Sequence, residues 1–295
     1  MNCLLTGASG FLGKAIAVEL SKEYELFSLS RTSGDYKFFL EKEIPVFKEK
    51  FDLVIHSAGK AHSVPKTESE KEEFYKTNVT GTYNLLKALE KSGLPKQFVF
   101  ISSVAVYGRE AGTEIKESDD LNAKDAYGLS KIEAEKIITE WCSLNNVVCT
   151  ILRLPLLVGK NPPGNLGAMI KAIRKGYYFN IDGGKARKSM VLIKDVASFV
   201  TVVSSFGGVY NLTDGIHPSF YKLSMAISNK KKISLPLGLA KFIGKIGDLI
   251  GDSAPITSRK VKKITSDLTF DDSKARQLLN WKSESTLDYL NKERL

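Results

Sequence analysis

The sequence predicts an α/β protein: a doubly wound parallel sheet carrying a smaller C-terminal α/β part. Three observations predict it. Strand-like apolar runs alternate with helix-period stretches through the first half of the chain. A glycine-rich turn follows directly on the first of these runs and opens the first helix. After Arg153 the texture changes to turn-rich segments and shorter elements, with no internal repeat and no low-complexity linker.

The strand-like runs fall at 2–6 (NCLLT), 24–30 (YELFSLS), 52–57 (DLVIHS), 97–103 (QFVFISS) and 147–153 (VVCTILR). Helical spacing of apolar residues marks 11–21, about 68–92, and 127–145. Near-continuous apolar strands between amphipathic helices indicate a parallel sheet covered on both faces. Beyond Arg153, Asn161-Pro162-Pro163-Gly164-Asn165 reads as a turn-rich loop and Asp182-Gly183-Gly184 as a second turn. Strand-like pieces at 189–193 and 208–212 flank a helix over 194–205, and shorter helical segments carry the chain to Leu279-Asn280-Trp281. The expected organisation is a dinucleotide-binding unit over 1–155, to which 188–212 returns, with 156–187 and 213–295 binding substrate. The stretch 237–251 (LGLAKFIGKIGDLIG) has apolar residues at helical spacing, and it reads as a helix packed on its own protein ahead of one lying on a membrane.

Composition narrows the functional classes. A chain of 295 residues, 43% hydrophobic and 26% charged, is an ordinary globular protein able to bury a sizeable core. Cys3, Cys142 and Cys149 have no ligand-like spacing, and the expectation is reduced core residues in a cytoplasmic protein. A strand starting at residue 2 leaves no room for a signal peptide, and no apolar run reaches the ~18 residues of a membrane span. His62 and His217 lack metal-ligand spacing with each other or with carboxylates, so no metal is expected. The net charge is +10, of which residues 222–295 hold +7 from 15 Lys/Arg against 8 Asp/Glu. Clusters such as Lys230-Lys231-Lys232 and Arg259-Lys260…Lys262-Lys263 lack interleaved aromatics, which argues against nucleic acid as a partner.

Two constellations carry chemistry. Gly7-x-x-Gly10-x-x-Gly13 stands between a strand and a helix, where glycines permit a tight turn, close backbone approach to a pyrophosphate, and close helix–strand packing. Its spacing departs from the usual dinucleotide G-x-G-x-x-G. The second strand ends Leu29-Ser30-Arg31 with no acidic residue for an adenosine ribose; Ser30 and Arg31 suit a 2′-phosphate, placing NADP(H) ahead of NAD(H). Further on, Tyr127 and Lys131 lie at i and i+4 on one helical face, roughly 5–6 Å apart at Cβ. An ammonium beside a phenol lowers the tyrosine pKa toward working pH and makes Tyr127 an acid/base.

With these motifs stand Asp52-x-x-x-His56-x-Ala58-Gly59, Asn78-Val79-x-Gly81-Thr82, Ser102-Ser103 and Arg153-x-Pro155, in that order along the chain. The set resembles the extended short-chain dehydrogenase/reductase family of nucleotide-sugar epimerases, dehydratases and keto-reductases. Lys188-Ser189-Met190-Val191, Asp195-Val196-Ala197, Tyr210-Asn211-Leu212 and Leu279-Asn280-Trp281 extend the resemblance over nearly the whole chain. The resemblance implies a Rossmann fold with Ser103, Tyr127 and Lys131 catalytic. It implies cofactor contacts from Gly7, Ser9, Gly10, Phe11, Leu12, Gly13, Ser30, Arg31, Ala58, Gly59, Lys131 and Leu154. Asn78 is expected to bridge helix to strand beside the cofactor, and His56 to pack near it without acting as a base. For the UDP- or dTDP-sugar substrate it implies Asn165, Leu166, Arg187, Lys188 and Arg259, with Ser102 as a second hydroxyl or as a partner of strand-end backbone. Fold-level analogy adds a homodimer to the expectations.

The family's dehydratases carry Asp-Glu after the Ser/Thr, where this chain has Val104-Ala105. Neither side chain moves a proton, so elimination is excluded and reduction or epimerisation remains. Ser30-Arg31 tips the balance to an NADP(H)-dependent 4-keto sugar reductase, as do LRLPLLVGKNPPGNL (152–166), ARKSMVLIKDVA (186–197) and SLPLGLAKFIGKIG (234–247), which resemble UDP-4-keto-6-deoxy-N-acetylhexosamine reductases of surface-polysaccharide synthesis. An NAD-dependent 4-epimerase is the alternative. A non-catalytic dinucleotide sensor or RNA-binding relative is the remote one, which the intact Ser103/Tyr127/Lys131 set opposes.

Overall fold

The computed structural model describes residues 1–61, 65–251, 254 and 256–293. Seven strands form the central sheet: β1 (Asn2–Thr6), β2 (Glu25–Ser30), β3 (Tyr36–Lys37), β4 (Leu53–His56), β5 (Gln97–Ser103), β7 (Val148–Leu154) and β11 (Gly208–Asn211). Their order is β3-β2-β1-β4-β5-β7-β11, and every neighbouring pair is parallel. Running outward in both directions from β1, this is the doubly wound Rossmann arrangement. Three short parallel pairs lie outside it: β6 (Gly112–Ile115) with β13 (Leu268–Phe270), β8 (Leu156–Val158) with β10 (Met190–Leu192), and β9 (Asn180–Ile181) with β12 (Ser234–Leu235).

The helices are α1 (Phe11–Leu20), α2 (Glu68–Tyr75), α3 (Gly81–Ser92), α4 (Ala126–Leu144), α5 (Gly164–Arg174), α6 (Ile193–Val203), α7 (Phe220–Ser228), α8 (Leu237–Ile250), α9 (Ser258–Thr265), α10 (Ser273–Leu279) and α11 (Thr286–Glu293). Alternate residues of the strands feed two separate cores. Cys3, Leu5, Leu53, Ile55, Val99 and Leu152 meet Leu12, Ile16 and Val200 of α1 and α6, while Leu4, Val54, Phe98 and Phe100 meet Leu85, Leu89, Ala134 and Ile138 of α3 and α4. Both faces of β1, β4 and β5 are therefore apolar, the pattern of a sheet sandwiched between helix layers. A third core joins α5, α7 and α11 around Leu166, Ile170, Leu223 and Leu290.

The single helix expected over 68–92 is interrupted. Between α2 and α3 lies a turn of π-helix, Lys76–Thr80, which accommodates an inward-facing Asn78. Polar bridging at Asn78 competes with regular helical winding there, and the apolar period does not register it. Elsewhere the turn-rich 161–165 segment gives way to α5 at Gly164, so Asn165 stands in a first helical turn.

Candidate active site

The C-terminal ends of β1, β4 and β5 converge on one edge of the sheet, the place where open parallel sheets bind ligands. At β1 the chain turns through Gly7 at φ +76°, a conformation that favours glycine, and a Cβ there would meet the Ala58 nitrogen at 2.7 Å. Gly10 donates its N–H to the Gly7 carbonyl (2.9 Å), and a Cβ at Gly13 would strike that same oxygen. No side chain caps α1, whose first-turn N–H groups stand beside exposed Ser9 and Gly10. Such a cradle fits the pyrophosphate of a dinucleotide. Leu12 and Leu154 are 5% and 3% exposed, so their side chains belong to the core and only their backbones can approach a ligand.

Beside the cradle, Thr6 Oγ accepts the Ala58 N–H (3.1 Å) and pairs with His56 Nδ1 (2.7 Å). His56 Nε2 meets Thr82 Oγ (2.9 Å), whose hydroxyl donates to the Asn78 carbonyl (2.6 Å). With both ring nitrogens engaged and 1% exposure, His56 does not face the cofactor; it fixes the Thr6–Ala58 floor from beneath. Burial and the Lys131 charge push its pKa from the ordinary 6.5 down to about 3. Between those values the unfolded chain binds the proton that the folded one excludes, so stability is full above about pH 6.5 and falls on acidification. Chemical denaturation should show about 2 kcal/mol lost through this residue between pH 7 and 5; a His56→Gln variant with the same pH slope would contradict it.

Asn78 joins a loop to a helix: its Oδ1 accepts from Lys60 N (2.7 Å), and its Nδ2 donates to Lys60 O (3.1 Å) and Ser130 Oγ (2.8 Å). This ties the segment after Gly59 to α4. Asp125 caps α4, its carboxylate accepting from the Gly128 N–H (3.0 Å). Gly128 lets the helix press onto the turn after β5, where a Cβ would lie 2.8 Å from the Ala105 oxygen. Tyr127 and Ser103 are thereby brought together, with the Ser103 hydroxyl near enough to the phenol to favour its ionised form. Phe74 supports the Tyr127 ring from α2, with centroids 6.1 Å apart.

The Tyr127–Lys131 pairing expected from spacing is corrected in one respect. Lys131 Nζ donates to the Ile101 carbonyl (2.9 Å), lies 4.4 Å from the Phe100 ring centroid, and faces Gly59. Burial brings its pKa down to about 8 against the opposing pull of Glu135. The Tyr127 pKa is raised, not lowered: burial dominates, Asp125 adds to it, and Ser103 opposes it. A half-buried phenol of raised pKa holds its proton at neutral pH and so is present in the form that can donate it.

Several substrate-side expectations change. Ser102, 4% exposed, points away from the site and donates to Glu135 Oε1 (2.5 Å). Leu166 is 2% exposed in the third core, leaving only its backbone beside exposed Asn165. Lys188 is 8% exposed and donates to the carbonyls of Lys263 and Ser266 (3.0 Å each) at the end of α9, where burial lowers its pKa to about 8; it is a helix cap, not a phosphate ligand. Arg187 pairs with Asp267 (2.9 Å) and Arg259 with Glu110 (2.8 Å), both at the surface. His217 sits against Ser189 (2.9 Å) and Glu114 (3.4 Å), and His62 lies outside the described residues.

A buried polar network beneath the site was not anticipated. Arg153, opposite Ser102 in register, pairs with Glu135 (2.7 Å), with Tyr107 Oη (3.1 Å) and with the Glu117 carbonyl (3.2 Å). Tyr107 in turn donates to Asn211 Oδ1 (2.8 Å) on β11. The available signal was an arginine inside the apolar run ILRL, which a strand interior tolerates only when paired.

The sequence model described as the NAD dependent epimerase/dehydratase family matches residues 3–212. The chain is 27% identical to a UDP-glucose 4-epimerase of Vibrio cholerae over 97% of this chain and 92% of that protein. It is 28% identical to an N-acetyl-alpha-D-glucosaminyl-diphospho-ditrans,octacis-undecaprenol 4-epimerase of Escherichia coli O157:H7, over 92% and 88%. Among solved structures, RMD from Pseudomonas aeruginosa complexed with NADPH superposes with a TM-score of 0.74 at 22% identity, covering 99% of this chain and 97% of that one.

Proposed function

We propose that this chain, which belongs to the NAD-dependent epimerase/dehydratase family, is a reductase that uses NADPH on the 4-keto group of a nucleotide-linked sugar, UDP-linked ahead of dTDP-linked, in surface-polysaccharide precursor synthesis. The carrying observation is the end of β2. Ser30 folds its hydroxyl onto the Ser33 carbonyl (2.5 Å) and Arg31 stands exposed. Asp35, in the following turn, accepts from the Ser28 N–H and hydroxyl (2.8 Å each) and is held below its ordinary pKa by them. With the Ser30 hydroxyl turned to Ser33 and Asp35 turned to Ser28, the adenosine end offers the Arg31 guanidinium where a ribose diol would want a carboxylate, which favours a 2′-phosphate.

When bound, the nicotinamide supplies hydride; the protein's residues do the rest. Gly7, Gly10 and Gly13 receive the pyrophosphate, and Lys131, beside Gly59, is placed to hold the nicotinamide ribose. Ser103 Oγ accepts the Ala105 N–H (3.2 Å), which leaves its hydroxyl proton free to donate to the substrate carbonyl oxygen. Tyr127 transfers its proton to that oxygen as alkoxide charge develops, while Val104 and Ala105 offer no group for elimination. Asn165, Arg187 and Arg259 are the candidate contacts to the sugar nucleotide.

Incubation with NADPH and a panel of UDP- and dTDP-4-keto sugars, followed by absorbance of the reduced cofactor, tests the reading. Net consumption with one substrate supports it. Interconversion of 4-epimers without consumption establishes the second reading, a 4-epimerase, which the two relatives matched over most of their length favour. Arg31→Ala is expected to lower kcat/KM for NADPH by about ten- to a hundredfold, the worth of a hydrogen bond to a charged group. The same change should leave NADH turnover nearly unaltered, and an equal loss with both cofactors would remove Arg31 from the 2′-phosphate site.

A further inference from the structure

The amphipathic stretch 237–251 forms a helix packed on its own protein, but through its small residues. Helix α8 packs on its own protein through Ala240, Gly244 and Gly247, its buried residues. A Cβ at Gly247 would lie 1.8 Å from the Ile256 carbonyl and one at Gly244 3.0 Å from Ser258 N, so the helix backbone lies directly against the start of α9. The large side chains face outward: Leu239, Phe242, Ile246, Leu249 and Ile250 are between 46% and 88% exposed. Positions i, i+3, i+7, i+10 and i+11 form one continuous stripe. At the approach to the helix Ile233 is 83% exposed, and the neighbouring β9–β12 ladder brings half-exposed Phe179 beside it.

Charge surrounds that stripe with one sign. Lys230, Lys231, Lys241 and Lys245 are exposed, with Lys232 half-buried among them. Asp248, the acidic residue of α8, turns to α9 and accepts the Ser258 N–H (2.9 Å). The outward surface is thus apolar, with Lys241 and Lys245 along one edge of the stripe and Lys230–Lys232 in the segment leading to the helix. Among the described residues no helix is long and apolar enough to cross a membrane, and α8, with 14 residues, is about 21 Å long.

We infer that α8 is an interfacial anchor that lays its Leu239–Ile250 stripe into the headgroup–acyl boundary of an anionic lipid bilayer. Apolar side chains of this size leave water for the acyl boundary, and lysines beside them are drawn to anionic headgroups. A second copy of the chain is a poorer occupant. A two-fold contact through the same stripe would bring two lysine-rich flanks together, and like charges oppose such a pairing. The neighbouring helix α9 carries Arg259, tied to Glu110 in the loop after the Val104–Tyr107 turn, so docking would hold the substrate side of the molecule against the membrane. The inference does not depend on which reaction is catalysed.

Co-sedimentation of the full chain with vesicles decides it. Binding is expected to phosphatidylglycerol vesicles, at least tenfold weaker to phosphatidylcholine vesicles, and weakened by about 0.5 M salt. Phe242→Glu with Leu249→Glu should reduce phosphatidylglycerol binding at least tenfold with an unchanged thermal melt. As a second readout free of any folding question, the indole of a Phe242→Trp variant should shift its emission to the blue on adding the same vesicles. Absence of wild-type binding to phosphatidylglycerol, undiminished binding by the double variant, or no spectral shift overturns the inference. So does a stable wild-type dimer in solution that Phe242→Glu splits, since the stripe would then be a protein interface.

Discussion

Tyr127→Phe should lower kcat by about 10²–10⁴-fold, the usual worth of a positioned general acid, with cofactor binding and the thermal melt nearly unchanged. The ring remains to pack on Phe74, and only the hydroxyl facing Ser103 is removed. The loss should appear in turnover and not in a fluorescence titration of NADPH, because Lys131 and the glycine cradle do not depend on the phenol. Ser103→Ala is expected to fall in the same direction, since it removes the hydroxyl aimed at the same oxygen. Turnover within a few-fold of wild type in the Phe variant would mean that another group delivers the proton. Because burial raises the Tyr127 pKa, the donor stays protonated well above neutral pH, and reduction should not decline through its ionisation near pH 7.

The parts of the molecule legible in the sequence are those governed by periodicity and local turn chemistry. Apolar runs gave β1, β4, β5 and β7 nearly to the residue, because strands covered on both faces admit few polar side chains. The glycine cradle was equally plain, since a Cβ at Gly7 or Gly13 would collide with backbone and one at Gly10 would crowd the Gly7 carbonyl at 3.1 Å. What a spacing cannot encode is where a long side chain turns. The i, i+4 relation placed Tyr127 and Lys131 on one face, yet the ammonium goes to the Ile101 carbonyl, an acceptor 30 positions away. Ser102 and Ser103 are adjacent, but strand alternation sends one to a buried carboxylate and the other to the phenol. Lys188 read as a phosphate ligand because it is basic and near the substrate side; it caps α9, a helix about 75 residues later. Helix α8 has the same lesson in reverse. Its amphipathic period is real, but its glycines make the small-residue face the inner one.

Glu135→Ala should destabilise the protein by about 3–5 kcal/mol, the cost of leaving one member of a buried ion pair uncompensated. Glu135 and Arg153 side chains are each 6% exposed, and the carboxylate is the partner of both the guanidinium and the Ser102 hydroxyl. Removing it strands a charge that the Tyr107 ring, 5.1 Å from the guanidinium, and the Glu117 carbonyl only partly satisfy. Of a typical 5–15 kcal/mol of folding free energy, that is a large fraction, readable as a lowered midpoint in urea. The double change Glu135→Leu with Arg153→Met should recover most of the loss, because apolar residues of similar volume often replace a buried pair at little cost. Activity then separates stability from positioning. Arg153 and Ser102 are register partners on β7 and β5, one residue below Ser103, so the network sets the strand end from which the carbonyl-binding hydroxyl projects. The double variant should therefore fold and bind NADPH yet turn over more slowly, with the loss in kcat and not in KM. A single Glu135→Ala variant within about 1 kcal/mol of wild type, a cost ordinary for a surface pair, would show that the charge is relieved by water reaching the network, and the positioning role would go with it.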